Sequence, residues 1–400
     1  MSSARVALVS RIFLPEPGAA AYRLGALVRH LGARGVRVTV LTSTVPAGLT
    51  DIPAVAGVRV RRWPVLRDAG GTVRGYLPFA SFDVPLLGRL LTMARPDVVV
   101  VEPPPTTGAV VRIVCALRRV PYVYYAGDVS STAAASIGVP APVVAALRAF
   151  ERFAVRGARV VLTVSHGVAD DLRALAGPVP TQVVGTGVDT DVFRPLSQET
   201  RTPTFVYAGT MSELHGAEVF VRAFARVAEE HPSARLIMYG QGVDVPRLAE
   251  LAEQLVPGRV LFPGRVPATV VAEALSNAAA GLASLRPHGS YQYAYPTKMF
   301  AVTACGTPVI YAGPGPGHDM VRDHELGWAC PWTPEAVASA MAAALARPVD
   351  PTDRARLNAW TVANASQRCV GERAALAVLD IGAGALARQM PWAREEADTP

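Results

Sequence analysis

The sequence predicts an α/β protein made of two Rossmann-like domains that face each other across a cleft. Short apolar runs alternate with helical segments twice along the chain, once from residue 5 and again from residue 204. Such alternation is typical of parallel sheets with right-handed crossovers. The length of 400 residues also exceeds the roughly 250–300 residues at which one hydrophobic core stops growing. Two domains of the same type are therefore the first expectation.

The first half of the chain contains a strand, loop, helix, strand unit. Residues 5–10 (RVALVS) predict a buried strand, and a loop through residues 13–18 leads into a helix that runs to about residue 34. The next strand follows at residues 36–42. Continuous apolar runs at 97–101, 122–125 and 160–164 are typical of strands at the centre of a parallel sheet. We expect an N-terminal domain over residues 1–195.

A polar stretch with two prolines, around residues 193–204, predicts the linker between the domains. The second domain is expected over residues 205–380. Its predicted strands are 204–208, 235–239 and 260–262, and its predicted helices are 217–230, 245–255 and 268–278. The remaining tail, 381–400, is expected to cross back onto the first domain.

Composition narrows the class of protein. The net charge of +7 comes from basic residues spread along the chain, so it suits anionic ligands or a membrane surface better than a dedicated nucleic-acid arm. Cys115, Cys305, Cys330 and Cys369 lack the spacing of a zinc site or a disulfide framework. The sequence shows neither a signal peptide nor a long apolar span. We expect a cytoplasmic protein, with peripheral contact to the inner face of a membrane left open.

Glycine-rich loops follow the first strand of each half. In open α/β sheets ligands bind beyond the carboxyl ends of the strands. Gly18 ends such a loop in the first half, although an ordinary turn explains it equally well when the loop is taken alone. In the second half, residues 209–212 and 240–242 occupy the positions that cradle a phosphate or nucleotide. Neither loop has the dinucleotide fingerprint, which disfavours a nicotinamide dehydrogenase. His215 is either a phosphate donor or an exposed loop residue.

The segment YPTKMF, which continues to CGTPVI at residue 310, is the most informative. It predicts a loop that opens a short helix, a glycine that ends the helix, and a strand. Lys298 lies just inside that helix, where its charge and the positive helix end suit a diphosphate. A surface lysine that extends its ammonium into solvent is the alternative.

These segments together resemble the family 4 glycosyltransferases, which are retaining enzymes of the GT-B fold. FLPEPGAAAYR is similar to the opening loop of the branch with bacterial surface-polysaccharide aminosugar transferases, and PDVVVVEPPPTTG with PYVYYAGDVSS follows that branch's next two strands. FERFAVRGARVVLTVSHGVADDL is similar to the end of the family's first domain. GTGVDTDVFRP, FVYAGTM, YGQG and YPTKMFAVTACGTPVI then follow in the family's order. The resemblance covers almost the whole chain and implies a sugar transferase of polysaccharide or natural-product biosynthesis.

The resemblance also implies roles for individual residues. The donor would be a UDP- or GDP-linked sugar, bound without a metal, and the acceptor would be a small molecule or a glycan. Lys298 and Asp128 would be catalytic, and retaining members are thought to use front-face substitution, in which the departing phosphate helps to take the acceptor's proton. The implied acceptor-binding residues are Gly18, Tyr22, Arg23 and Asp128. The implied donor-binding residues are Gly209, Thr210, Ser212, His215, Gly240, Gly242, Arg265, Val266, Tyr293, Lys298 and Met299.

The sequence departs from the family pattern at several of these positions. Thr210 and His215 stand where the family commonly has Arg and Lys. The usual pair of glutamates falls at Tyr293 and Ala301, and the family histidine of the first domain falls at Gly127. An active transferase is the main hypothesis. A pseudoenzyme that binds a sugar nucleotide or a partner without turnover is the alternative, and a nucleotide-sugar epimerase ranks third.

Overall fold

The protein is described by a computed structural model that covers residues 4–16, 18–46, 48–50, 56–68, 71, 73, 75–136, 138–196, 202–287, 297–346 and 350–387. The chain forms two compact units. Unit 1 consists of Met1–Gly185 with Val370–Pro400, and unit 2 consists of Thr186–Cys369. Residues 197–201 of the predicted linker and 388–400 of the predicted tail lie outside the described residues.

Unit 1 contains a seven-stranded parallel sheet with the order β3-β2-β1-β4-β5-β6-β7. The central strands β4 and β5 are apolar and buried throughout, and β1 is so after its first residue, Arg5, as the sequence predicts. The edge strand β3 alternates apolar and charged residues because only one of its faces is covered, and the continuous-run pattern therefore missed it. The strands are β1 (Arg5–Val9), β2 (Arg37–Ser43), β3 (Val58–Trp63), β4 (Val98–Val101), β5 (Tyr122–Ala126), β6 (Val160–Thr163) and β7 (Thr181–Val183).

Helices cover both faces of this sheet. The predicted helix after the first loop begins directly after Gly18, whose carbonyl accepts the N–H of Tyr22 at 3.1 Å. A seventh helix reaches this unit from the end of the chain, as described below. The first six helices are α1 (Ala19–Ala33), α2 (Tyr76–Thr92), α3 (Pro105–Arg118), α4 (Ser130–Ser136), α5 (Ala141–Gly157) and α6 (His166–Ala176).

Unit 2 contains a six-stranded parallel sheet with the order β10-β9-β8-β11-β12-β13. The strands are β8 (Thr204–Ala208), β9 (Arg235–Tyr239), β10 (Val260–Gly264), β11 (Ala280–Ser284), β12 (Val309–Ala312) and β13 (Gly327–Cys330). The helices are α7 (Glu218–Glu230), α8 (Val245–Leu255), α9 (Ala268–Asn277), α10 (Lys298–Ala304), α11 (Pro316–Asp323), α12 (Pro334–Ala346) and α13 (Pro351–Asn364). All strand pairs are parallel, so the loops after the strands gather at one edge of each sheet.

The last helix, α14 (Gln367–Ala387), runs from unit 2 into unit 1. Its residues Ala374 and Val378 belong to the same hydrophobic core as Leu24 and Leu27 of α1. This core also contains every second residue of the central strands, so α1 and α14 share one face of the sheet. Burial of these apolar side chains holds α14 against α1.

No helix among the described ranges has the length and apolar composition that crossing a membrane requires.

Two glycines of α14 give a matched test of its packing. A Cβ at Gly371 would lie 2.9 Å from backbone and side-chain carbons of Ala26, whereas at Gly382 the nearest atom is a Val98 methyl at 3.9 Å. Gly371→Ala should therefore lower the free energy of unfolding by about 1–3 kcal/mol through overpacking. Gly382→Ala should raise it by up to about 1 kcal/mol through helix propensity. Urea unfolding of both variants measures the difference. Equal effects would contradict the packing of α14 on α1.

Candidate functional site

In unit 2, two loops at the carboxyl edge of the sheet are bonded into one layer. The N–H of Gly209 donates to the carbonyl of Tyr239 at 2.9 Å, and the N–H of Met211 donates to the carbonyl of Gln241 at 2.9 Å. The loop after β8 therefore lies directly on the loop after β9. The two predicted phosphate loops form a single structure.

Glycine is required in this layer for both space and backbone conformation. Gly209 and Gly240 have φ of 139° and 126°, which side-chain-bearing residues rarely adopt. A Cβ at Gly240 would overlap the carbonyl of Gly209, and one at Gly242 would overlap the carbonyl of Met211. Among the described residues, the backbone N–H groups of Thr210 and Ser212 have no hydrogen-bond acceptor. These groups can bind an anion at the edge of the layer.

Lys298 begins α10 and lies across this layer. Its side-chain carbons pack on Gly209, where a Cβ would overlap them, and its Nζ lies 5.4 Å from the centroid of the Tyr207 ring. Within the described ranges the ammonium makes neither a hydrogen bond nor an ion pair. Burial lowers the pKa of Lys298 to about 8. A partly buried cation that has no partner among the described residues is available to an anionic ligand.

Lys298 is also the single lysine of the chain. All the other residues among the 39 basic ones are arginines. Lysine offers a compact point charge on a thin stem, whereas the guanidinium of arginine is planar and larger. The confined space over Gly209 suits the lysine, and the choice of residue at 298 therefore has a local physical reason.

His215 lies beside Lys298 and not in open solvent. Its Nδ1 is 2.9 Å from the hydroxyl of Ser212, and its carbonyl accepts the hydroxyl of Ser284 at 2.6 Å. Burial and, secondly, the charge of Lys298 lower the pKa of His215 to about 4. The imidazole is therefore neutral near pH 7. It can donate a hydrogen bond to a phosphate oxygen without adding charge.

A buried ion pair holds the second half of the β8–α7 loop. Glu218, in the first turn of α7, is paired with Arg286, which follows β11, and with Arg247 of α8 at 3.4 Å. The Arg286 guanidinium lies 5.3 Å from the ring of Trp332, whose indole N–H donates to the carbonyl of Gly216 at 3.0 Å. Charge, stacking and hydrogen bonding thus fix the loop that carries His215.

The remaining predicted donor residues occupy varied positions. Arg265 is exposed and Val266 is partly buried, and both follow β10. The side chain of Met299 lies in the hydrophobic core of unit 2, so only its backbone can face a ligand. Tyr293 lies outside the described residues.

In unit 1, Arg23 of α1 is buried at the carboxyl edge of the sheet. One of its Nη atoms is 3.8 Å from the carboxylate of Glu102, and the guanidinium lies 4.9 Å from the ring centroid of Tyr125. The Nε of Arg23 has no partner among the described residues. A Cβ at Gly127 would lie 2.9 Å from Arg23 Nη2. The glycine thus leaves room for a buried guanidinium with free donors.

Further charges surround this pair. Glu102 directly follows β4 and accepts the hydroxyl of Ser10 at 3.1 Å; burial raises its pKa, while Arg23 and Arg11 oppose that shift. Burial also raises the pKa of Asp83, which accepts the hydroxyl of Thr107 at 2.6 Å. Opposite charges therefore alternate along this edge, and no single sign dominates.

The other predicted acceptor residues lie at the same edge of unit 1. Tyr22 and Asp128 are exposed, and the charge of Asp128 is close enough to interact with Arg23. Gly18 has no atom within 4 Å of the position of a Cβ, so its backbone is open to approach. Its φ of 169° is extended backbone that any residue can adopt.

Within the described ranges, no group of three or more His, Cys, Asp or Glu side chains is placed to hold a metal ion. None of the four cysteines, all of which lie in the described ranges, forms a disulfide.

Two family models match the chain, one in each unit. Residues 18–187 match the glycosyl transferase 4-like domain, and residues 202–347 match the glycosyl transferases group 1 model. The chain belongs to the family 4 glycosyltransferases of the GT-B fold.

Individual proteins of low sequence identity are also similar to this chain. A D-inositol 3-phosphate glycosyltransferase of Acidothermus cellulolyticus is 29% identical over 209 residues, which span 48% of this chain and 45% of that protein. The match therefore covers less than half of that curated relative. Sucrose-phosphate synthase of Thermosynechococcus elongatus is 19% identical with a TM-score of 0.66 over 96% of this chain and 98% of that one. Anabaena HepE, solved in complex with UDP, is 15% identical with a TM-score of 0.68 over 94% and 100%. Both structures share the fold.

In this family 4 glycosyltransferase, the departures from the family pattern have structural counterparts. Arg23 lies where a side chain at Gly127 would be, so a guanidinium takes the space next to β5. His215 occupies the position where the family commonly has a lysine. It is neutral and lies beside Lys298. Ala301 packs against the hydrophobic core of unit 2.

The residues that position the candidate site residues were not predicted from the sequence. Glu102 and Arg286 both follow buried strands within two residues, so the rule that ligand loops follow parallel strands could have found them. Glu218 could have been found as an acid in the first turn of a helix. Trp332 gave no local signal, because its role depends on its contact with Gly216 across the unit.

Replacing Lys298 should change the stability of the protein and its nucleotide binding in opposite directions. Because the pKa of Lys298 is lowered, the unfolded chain binds more protons than the folded one between about pH 8 and the ordinary lysine value. The buried charge therefore costs stability below pH 8, and this cost vanishes as the pH rises. Lys298→Met should raise the free energy of unfolding at pH 7 by roughly 1–2 kcal/mol. It should also weaken stabilisation by UDP or GDP in thermal unfolding, so that about tenfold more nucleotide or more is needed for the same shift in Tm.

The control variant is Arg222→Met, which removes an exposed cation from α7. It should leave both stability and nucleotide stabilisation unchanged. A destabilised Lys298→Met protein that responds to nucleotide as the native chain does would show that Lys298 has a structural role only.

Proposed function

We propose that this chain is an active retaining glycosyltransferase that moves a sugar from a nucleoside diphosphate sugar, bound by unit 2, to a hydroxyl of an acceptor bound by unit 1. The observation that carries the proposal is Lys298, a cation that has no hydrogen-bond or ion-pair partner among the described residues and lies over a layer of glycine loops. A diphosphate is the ligand whose charge and size suit this arrangement.

The donor half combines three kinds of group for the diphosphate. Lys298 supplies a positive charge, His215 supplies a neutral donor, and the N–H groups of Thr210 and Ser212 supply directional hydrogen bonds. We propose that these groups balance the phosphate charge and that no metal is required. Glu218 and Arg286 act by positioning the loop that carries His215.

We propose a UDP- or GDP-linked sugar as the donor, with UDP tested first. Anabaena HepE, which has the same fold, is solved with UDP, with UDP and glucose, and with UDP-glucose. The loops after β9 and β10, with Gly242, Arg265 and Val266, would border the base.

In the proposed step, the bond between the anomeric carbon and the diphosphate oxygen breaks, and an acceptor oxygen bonds to that carbon on the same face. The acceptor's proton passes to a phosphate oxygen of the leaving group. Lys298 would stabilise the charge that develops there, because no acceptor in the described part of the chain engages its ammonium. Asp128 would accept a hydrogen bond from the acceptor hydroxyl and orient it.

The acceptor half suits a hydroxyl-bearing molecule. Arg23 offers hydrogen-bond donors, whereas Glu102 and Asp128 offer acceptors, and the opposite charges lie close together. A sugar or polyol hydroxyl both donates and accepts, so it can satisfy both kinds of group at once. We therefore propose a small polyol or a glycan as the acceptor.

Turnover is the test of this proposal. The full chain should release UDP or GDP from a matching sugar nucleotide when sugar and polyol acceptors are supplied, and EDTA should not reduce the rate. Proton NMR of the product should show the anomeric configuration of the donor. Lys298→Ala should lower kcat/KM by about tenfold or more, because a charge-assisted contact to phosphate is worth roughly 1.5–3 kcal/mol.

Arg222→Met serves again as the control and should retain full activity. An inverted product would refute retention but leave the transferase assignment intact. Nucleotide binding without transfer to any acceptor in the panel would contradict the proposed activity and favour a pseudoenzyme.

A further inference from the structure

Three helices of unit 1 form a surface that the proposed reaction does not use. Helices α2, α3 and α5 lie side by side on the face of the sheet opposite to α1 and α14. Arg118 of α3 donates to the carbonyl of Met93 just beyond α2 at 2.9 Å, and Arg112 of α3 donates to the carbonyl of Phe153 in α5. A Cβ at Gly108 would meet both Ala154 and Tyr124, so α3 packs closely on the sheet and on α5.

The outward side of these helices, which we call the outer helix face, is rich in apolar side chains. Leu77 and Val84 of α2 are 73% and 72% exposed, and Leu117 of α3 is 70% exposed. Large apolar side chains on a folded surface are rarely this exposed in one place without a partner. The exposed apolar residues of the face are Leu77, Val84, Leu87, Leu91, Ile113, Leu117, Phe150 and Phe153.

The exposed charges of these three helices are all positive. Arg148, Arg152 and Arg156 are exposed, although Arg152 and Arg156 also donate to the carbonyls of Leu175 and Ala176, whereas Arg89, Arg112 and Arg118 are partly buried. The acids of the three helices are Asp83 and Glu151, and both are buried. Asp83 accepts the Thr107 hydroxyl, and Glu151 accepts the N–H groups of Ser130 and Ser131 at 2.9 and 3.0 Å. Neither acid can offset the arginines at the surface.

We propose that the outer helix face docks this protein onto a membrane surface that contains anionic lipid. Exposed leucine, valine and phenylalanine side chains can enter the boundary between headgroups and acyl chains, while arginines bind the phosphates. A second copy of the chain would bring like charges together, which opposes self-association through this face. The phosphates of a nucleic acid would leave the exposed leucine, valine and phenylalanine side chains uncovered, so a nucleic acid fits less well.

Cosedimentation of the full chain with vesicles tests the proposal. Vesicles of phosphatidylcholine and phosphatidylglycerol in equal parts should bind the protein roughly tenfold more tightly than phosphatidylcholine vesicles. Added salt should weaken this binding. The double variant Val84→Gln with Leu117→Gln should reduce binding about tenfold, and Arg148→Gln should reduce it to a smaller extent.

The matched control is Leu376→Gln, which changes a leucine of α14 that is 48% exposed on the opposite face of the sheet. It should bind the vesicles as the native chain does. Circular dichroism and UDP binding should be the same in all variants, so that lost vesicle binding cannot be attributed to misfolding.

Equal binding to both vesicle types, no binding to either, or an unaffected double variant would overturn the proposal. A native dimer that the double variant converts to monomer would overturn it too, in favour of a second copy as the partner.

Discussion

The partly buried ammonium of Lys298 is the constraint on which the rest of unit 2 depends. Its side-chain carbons need the space above Gly209. The carbonyl of Gly209 in turn lies so close to Gly240 that a Cβ at residue 240 would overlap it. The neutral state of His215 follows from burial and from the same charge. A partly buried cation that has no acceptor among the described residues is destabilising by itself. We propose that a bound ligand provides the counter-charge.

The buried charges of unit 1 are arranged differently, in pairs of opposite sign. Arg23 and Arg11 face Glu102 and Asp83 within a buried edge, so most of the charge is balanced inside the protein. The balance is incomplete, because Arg23 lies 3.8 Å from Glu102 and its Nε has no partner within the described ranges. Unit 2 thus presents net charge, which suits an anionic donor, whereas unit 1 presents paired donors and acceptors, which suit hydroxyl groups.

The sequence was sufficient for the fold because its central strands are continuous apolar runs. Strand β9 and helix α8 have the predicted bounds, and the GT-B assignment is confirmed. Strand β3 could not be found in the same way, since it lies at an edge and alternates. At the candidate site, the start of a short helix at Lys298 was predicted from its segment, but the contacts by which Trp332 and Arg286 hold the loop of His215 were not. Those contacts join residues far apart in the chain, and local patterns carry no information about them.

The most direct measurement of the central claim is the pKa of Lys298 itself. Because Lys298 is the single lysine, protein labelled with ¹³C-lysine gives one side-chain resonance to follow by NMR as the pH is raised. The account predicts a pKa near 8 without ligand and a clear rise when UDP is bound, since the diphosphate favours the charged form. An unliganded pKa at the ordinary lysine value, with no response to either UDP or GDP, would contradict it.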